Sequence, residues 1–392
     1  MVTSPDRTAP ATAGRRKLRV LFLATRDWYN PATTGGDNTM WENARYLASV
    51  GHDVTFIAAG YRGAAKRERL DGLDVVRLGG IHTLWLTTFV HYMSHCRGRY
   101  DVVVAEGFGG SRLPRLAALY VREPVITEWH QVHRDLFAIQ YPKLLNGPLN
   151  LLERAAAAVN RNTLVRAGTS EWAAAFARIG FRPERIFVLP VSVRDDWLTA
   201  GGAPAVRPRI LWLGKLRRYK CPDHAIRAMP KVLERVPDTE LVIAGRSDDQ
   251  AYARELQALA RRLGAAERVS FRWDVSEQEK RELIEASRVV VVTSAVEGFG
   301  IVVLEANARG VPVVASTGVP EGAVADGRNG LRYRFGDLDA LAATTVRLLT
   351  DSALHDRLSA QARAFAGDFA WSQVGARFEE VVQRCAPGTP AA

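Results

Sequence analysis

Short apolar runs recur along the whole chain, each bounded by loops rich in Gly, Pro, Asp or Asn. In the first half they are Leu18 to Ala24, Asp53 to Ala58, Tyr100 to Ala105, Pro124 to Thr127, Leu164 to Ala167 and Ile186 to Val191. In the second half they are Arg209 to Leu213, Thr239 to Ala244, Arg268 to Trp273, Val289 to Val292, Val311 to Ala315 and Gly330 to Tyr333. Most do not alternate apolar with polar, and they are too short for helices, so they read as strands buried on both faces. Helical stretches lie between them, such as Thr39 to Val50 closed by Gly51, and Ile301 to Arg309 stopped by Gly310. Strand–loop–helix–strand order, repeated in both halves, predicts an α/β protein of two Rossmann-like parallel sheets. Residues 199–208, TAGGAPAVRP, read as the linker between a domain at 15–195 and one at 205–370.

A chain of 392 residues suffices for two such domains, and 47% hydrophobic residues is ordinary for a globular protein. No apolar run reaches the length of a membrane span. Residues 1 to about 14 read as a disordered tail with no signal peptide. Cys96, Cys221 and Cys385 are scattered, which fits a reducing compartment and provides no disulfide framework. Residues 81–97 read as an amphipathic, aromatic helix, either lying on the first sheet or facing a membrane. Three metal readings are set aside. His91, His95 and Cys96 have no further ligand at sensible spacing. The same holds for His130 and His133. Asp337-Leu338-Asp339 reads as the acidic first turn of a helix. The net charge of +11 is lopsided: residues 1–200 hold 26 Lys+Arg against 18 Asp+Glu, and residues 201–392 hold 27 against 24. A basic first half suits an anionic acceptor or membrane surface, or is simply a solvated face. Zinc-finger spacing, an aromatic-basic strand and a dense basic block are all missing, which excludes the usual nucleic-acid binders.

The chemistry concentrates in residues 289–316. After the valine strand, a loop from Thr293 to Gly300 leads into a helix beginning at Ile301. Glu297 lies at the mouth of that helix and Glu305 eight residues on, about 12 Å along the axis at the α-helical rise. Glycines at 298 and 300 leave N–H groups bare at the positive end of the helix, beside Phe299. A ligand along this edge would set a sugar by Glu297, a diphosphate over the N–H groups and a ribose by Glu305. Only seven of the chain's basic residues are lysines, yet Lys215 and Lys220 fall within six positions, around the turn after Gly214. Paired cations there would hold a diphosphate and stabilise its departing charge. Gly35 and Gly36 precede the first helix and allow close approach of a ligand to the backbone. Gly245 and Arg246 end a strand and read as a nucleotide-side loop. His130 stands just past a strand's carboxyl end, where open sheets bind ligands. Ser170 reads as a helix N-cap.

Glu297, Gly298, Phe299, Gly300 and Glu305 together resemble the E-x7-E signature of family 4 glycosyltransferases, which are retaining, nucleotide-sugar-dependent enzymes of the GT-B fold. The resemblance covers roughly residues 18–385. It implies two Rossmann-like domains facing each other across a cleft, with a C-terminal helix, 371–388, packing back on the first. It implies transfer of a hexosyl unit from a UDP-, GDP- or other nucleoside-diphosphate sugar to an acceptor hydroxyl on a glycan, a lipid-linked glycan or a natural product. His130, Glu297 and Lys220 would act at the donor sugar and leaving group. Gly35, Gly36, Lys215, Gly245, Arg246, Phe299, Gly300, Ile301 and Glu305 would bind the donor, and neither metal nor cofactor is required. Location would be cytoplasmic, with peripheral contact at an anionic inner membrane face. The pattern departs from the family at Lys215, where an arginine is usual, and at Cys221, where a glycine is usual. Pro190-Val191-Ser192-Val193 also lacks the usual hinge glycine. Two alternatives share the architecture: a nucleotide-sugar epimerase and a non-catalytic nucleotide-sugar-binding subunit.

Overall fold

The computed structural model describes residues 16–108, 116–199, 208–247 and 249–388. The expected N-terminal tail, most of the 199–208 linker, and part of the loop after Ala105 lie outside the described residues. Eight strands form the first sheet: β1 (Arg19–Leu23), β2 (Asp53–Ala58), β3 (Arg67–Leu70), β4 (Leu73–Arg77), β5 (Val102–Phe108), β6 (Val125–Trp129), β7 (Leu164–Ala167) and β8 (Ile186–Val188). Their order is β3-β4-β2-β1-β5-β6-β7-β8. Six more form the second: β9 (Arg209–Leu213), β10 (Glu240–Gly245), β11 (Val269–Trp273), β12 (Val289–Val292), β13 (Val313–Ser316) and β14 (Gly330–Tyr333), ordered β11-β10-β9-β12-β13-β14. Every pairing is parallel except that of β3 with β4. That edge hairpin turns at Asp71-Gly72, both at positive φ, 49° and 83°. Asp-Gly is a hairpin turn signal, but Arg67–Leu70 alternates polar with part-buried residues as an edge strand does, so the apolar-run reading passed over it.

The valine run predicted as a doubly buried strand is one: Val289 and Val290 are fully buried, and Val291 and Val292 nearly so. Helices cover both faces of each sheet, which explains the unbroken apolar runs. In the first sheet, Val102 and Val104 pack with Met40 and Phe378 on one face, while Val103 and Ala105 pack with Tyr92 and Cys96 on the other. The last helix, Trp371–Cys385, leaves the second domain and packs on the helix Gly35–Ser49 of the first. Trp371 Nε1 donates to the Glu42 carbonyl at 3.0 Å, and Arg45 stacks over the Trp371 ring. Gly375 sits under Tyr46 so closely that a Cβ would overlap the ring.

Strand order reverses at β1/β5 in the first sheet and at β9/β12 in the second. At such switch points, loops leaving the carboxyl ends of neighbouring strands diverge and open a crevice. The loops after β9 and β12 are those carrying Lys215, Lys220 and Glu297.

Candidate active site

In the second domain the two loops are tied together from beneath. Trp212 Nε1 donates to Thr293 Oγ1 at 3.0 Å, and that hydroxyl reaches the carbonyls of Lys220 and Cys221 at 2.9 and 2.7 Å. Ala295 N donates to the Tyr219 carbonyl at 2.7 Å. This fixes Lys220 Nζ at 2.6 Å from Glu297 Oε1, with Ser294 Oγ donating to the same oxygen at 2.7 Å. Burial opposes the lysine's charge, but Glu297 beside it holds its pKa above the ordinary value. Lys220 and Glu297 therefore form one hydrogen-bonded pair facing the cleft. Gly245, at φ 131°, lies so near Gly214 that a Cβ would strike the Gly214 carbonyl, so its role is the close approach of two strand ends. The Arg246 carbonyl accepts from Leu216 N at 2.8 Å and braces the same turn.

Glu305 lies on the helix Ile301–Ala308 and bonds Lys280 Nζ at 2.6 Å. Lys280 also meets Glu277 at 2.9 Å and lies over the Trp197 ring. Gly300 caps the helix from the left-handed region, φ 97°, without a side-chain cap, and its carbonyl accepts from Val303 N at 2.9 Å, which leaves the N–H groups of Ile301 and Val302 at the open end of the helix. The Phe299 side chain is 5% exposed, packing against Phe369 and closing onto the first domain at Gly168, where a Cβ would lie 3.7 Å from its Cδ2. The donor contact expected of Phe299 can come only from its backbone.

From the first domain, the helix Gly35–Ser49 points its N-terminus into the same space, with Thr34 and Asp37 forming a capping box. A Cβ on Gly35 would lie 3.1 Å from Ile301 Cδ1, so the starts of two helices from opposite domains meet. A Cβ on Gly36 would lie 2.6 Å from His130 Nε2, and that buried nitrogen has no hydrogen-bond partner. A Cβ on Gly298 would come within 3.0 Å of the His130 carbonyl. Lys215 Nζ crosses the cleft to the Ala32 carbonyl at 3.1 Å, so this lysine also latches the domains together. Gly35, Gly36, His130, Lys215, Lys220, Glu297, Gly298 and Ile301 thus surround one crevice; because the helix begins only at Ile301, Glu305 lies about one turn along it, not the two turns that its spacing from Glu297 implied.

Sequence reasoning missed several participants. Lys280 left no local signal, because its partner Glu305 is 25 positions away. Glu153, 2% exposed, accepts from His133 N at 3.0 Å and lies 2.7 Å from His133 Nδ1, so it anchors the loop that bears His130. Asp37 is buried beside Glu106, and burial and then that second carboxylate push its pKa up. Glu106 accepts from the Thr25 backbone N–H at 2.9 Å. The N-cap expected of Ser170 belongs to Thr169, whose hydroxyl accepts from Trp172 N. Asp337 caps the helix Leu338–Thr350 as its sequence context implied. Cys221, Asp223 and His224 bring ligand atoms within 4.8 Å of one another.

Two facing Rossmann-like domains, each with a crevice at its switch point, define the GT-B architecture. Residues 193–365 match the family model described as glycosyl transferases group 1, and residues 34–192 match the glycosyl transferase 4-like domain, so the two halves together make the chain a glycosyltransferase of the family 4 type. D-inositol 3-phosphate glycosyltransferase of Streptomyces scabiei is 29% identical over 96% of this chain and 94% of its own. The GDP-mannose-dependent alpha-(1-6)-phosphatidylinositol monomannoside mannosyltransferase of Mycolicibacterium smegmatis is 37% identical over 45% of this chain and 48% of its own. Among solved structures, sucrose-phosphate synthase from Thermosynechococcus elongatus superposes with a TM-score of 0.79 at 18% identity, covering 93% of this chain and 98% of that one. Anabaena HepE in complex with UDP-glucose gives 0.73 at 18% identity, over 93% and 99%. The protein is therefore a transferase enzyme. No helix among the described residues is long and apolar enough to cross a membrane.

Proposed function

We propose that the enzyme moves a hexosyl unit from a nucleoside-diphosphate sugar to an acceptor hydroxyl with retention at the anomeric carbon. The observation that carries this reading is the Lys220–Glu297 pair, 2.6 Å apart, at the mouth of two opposed helix N-termini. A diphosphate leaving group gathers negative charge as its bond to the sugar breaks, and a cation with two positive helix ends stabilises that charge most where water is thin. Glu305 takes the ribose hydroxyls, and the loop at Gly245-Arg246 takes the base. Glu297 and His130 Nε2 hold sugar hydroxyls. The acceptor oxygen bonds the anomeric carbon on the face the diphosphate leaves, and its proton passes to the departing phosphate oxygen. Positioning and charge stabilisation supply the rate. No metal is needed where lysine and helix ends neutralise the diphosphate, so activity persists in EDTA. HepE, solved with UDP-glucose, and the mannosyltransferase named for GDP-mannose support a donor of this class.

A thermal-shift panel of UDP-, GDP-, ADP- and dTDP-sugars tests the donor, since a ligand of the native state raises the melting temperature. One nucleotide class should stabilise the protein, and proton NMR of the product should show the donor's anomeric configuration. Inverted product, or epimerised donor without transfer, overturns the reading. We extend it to an enzyme working in the cytoplasm in peripheral contact with an anionic membrane surface.

A further inference from the structure

The helix Leu84–His91 and its wide last turn, Tyr92–Cys96, are apolar on both sides. Leu84, Thr88, Tyr92 and Cys96 recur every fourth position and are buried against the first sheet. Trp85, Leu86, Phe89, Val90 and Met93 form the opposite stripe, 38 to 55% exposed. A helix apolar all round belongs in an interior; this one has an interior on one side only. At 150–250 Å² for a large apolar side chain, the outer stripe leaves roughly 400 Å² open, the size of a contact site rather than of scattered surface residues.

The stripe continues. Leu119, 67% exposed, follows the turn that carries Tyr120, whose ring packs edge-on against Phe89 at 5.2 Å. The same turn touches the helix Lys143–Asn160, where Leu144, Leu145 and Leu151 are 87, 46 and 69% exposed. That helix covers β6 and β7 on the same side of the sheet, through Ala156, Ala157, Trp129 and Val165. Nine of the fourteen exposed large apolar side chains among the described residues therefore lie on one face of one domain.

Charge identifies the occupant. No Asp or Glu occurs from Gly79 to Tyr100 or from Leu136 to Leu152. Glu123 and Glu153 flank the face, but Glu123 is occupied by Tyr92 and by Gly98 N, and Glu153 is buried on His133. Arg97, Arg99, Arg122 and Lys143 are exposed around it. An apolar surface ringed by these cations, with the exposed Asp135 only at its cleft-side end, matches an anionic lipid bilayer: the side chains enter the acyl boundary and the cations meet the headgroups. The face also leads to the cleft. The helix Arg134–Gln140, between the His130 loop and Lys143, touches the Arg218–Lys220 turn of the other domain.

We propose that this face of the first domain docks on an anionic membrane and that the acceptor is anchored there, its hydroxyl delivered to the crevice beside His130. The acceptor half of this inference rests on the transferase reading above; the docking half does not. The test is cosedimentation of the full chain with phosphatidylcholine vesicles, with and without about 30% phosphatidylglycerol. Val90→Glu and Leu144→Glu each put a charge on an outward position, away from the site. The expected result is sedimentation with the anionic vesicles only, reduced about tenfold or more by either substitution, with nucleotide-induced thermal shifts unchanged. Wild-type protein left in the supernatant with both vesicles overturns the proposal, as do variants that sediment like wild type. So does a dimer in solution that the same substitutions dissolve, because the face would then belong to a second copy. Vesicle binding without any nucleotide shift would instead count against the transferase reading and leave the docking face standing.

Discussion

Replacing Lys220 by methionine keeps the length of the side chain and removes its charge. Two effects follow. Glu297 loses its partner at 2.6 Å and keeps only the Ser294 hydroxyl. Breaking a fully buried pair from one side costs about 3–5 kcal/mol. The Lys220 and Glu297 side chains retain 20 and 12% exposure toward the cleft, so solvent screens part of the loss and about 1–3 kcal/mol is the working figure. At roughly 2–4 °C per kcal/mol for a domain of this size, melting falls by several degrees and the fold survives at 25 °C. The second effect is on turnover. Loss of a fixed charge aimed at a leaving group costs about 10²–10³-fold in kcat. The assay is nucleoside-diphosphate release at saturating donor, beside a melting curve for each variant. Glu297→Gln and the double variant complete the cycle. If lysine serves only to neutralise Glu297, the double variant recovers both stability and turnover. Turnover of Lys220→Met within about tenfold of wild type would refute the reasoning outright.

Gly36→Ala puts a methyl 2.6 Å from the His130 ring; we expect about 1–3 kcal/mol of strain and loss of transfer through displacement of His130, read by kcat against melting temperature. Gly375→Ala drives a methyl into the Tyr46 ring; it should lower melting by several degrees and expose the C-terminal helix to proteolysis, and unchanged protease resistance would contradict the packing. Burial, with Asp223 beside it, pushes the Cys221 thiol up to about 12. Little thiolate then exists at pH 8, so iodoacetamide should label the Cys221 peptide far more slowly than an unfolded control; equal rates would refute that environment.

The chain's own pattern determined the architecture. Strands covered on both faces must be apolar throughout, so Val289–Val292 and Leu18–Ala24 announce a parallel sheet without reference to anything distant. The helix start at Gly300, the Glu297–Glu305 spacing and the clustering of Lys215 with Lys220 are likewise local, because helix rise and turn chemistry act over a few residues. Tertiary structure alone decided the pairings. Lys220 is 77 residues from Glu297 and Lys280 is 25 from Glu305, and nothing in a local pattern says which acid a cation will meet when strand order is set by whole-sheet packing. The same holds for Phe299, drawn into the core by Phe369, and for Gly35, whose neighbour Ile301 belongs to the other domain. Composition gave the basic first half, but the one-sided apolar face became visible only when the sheet claimed the inner stripe of the helix Leu84–His91 and left the outer stripe largely exposed. Periodicity shows that a residue is apolar; only the packed neighbours show whether that surface has been used.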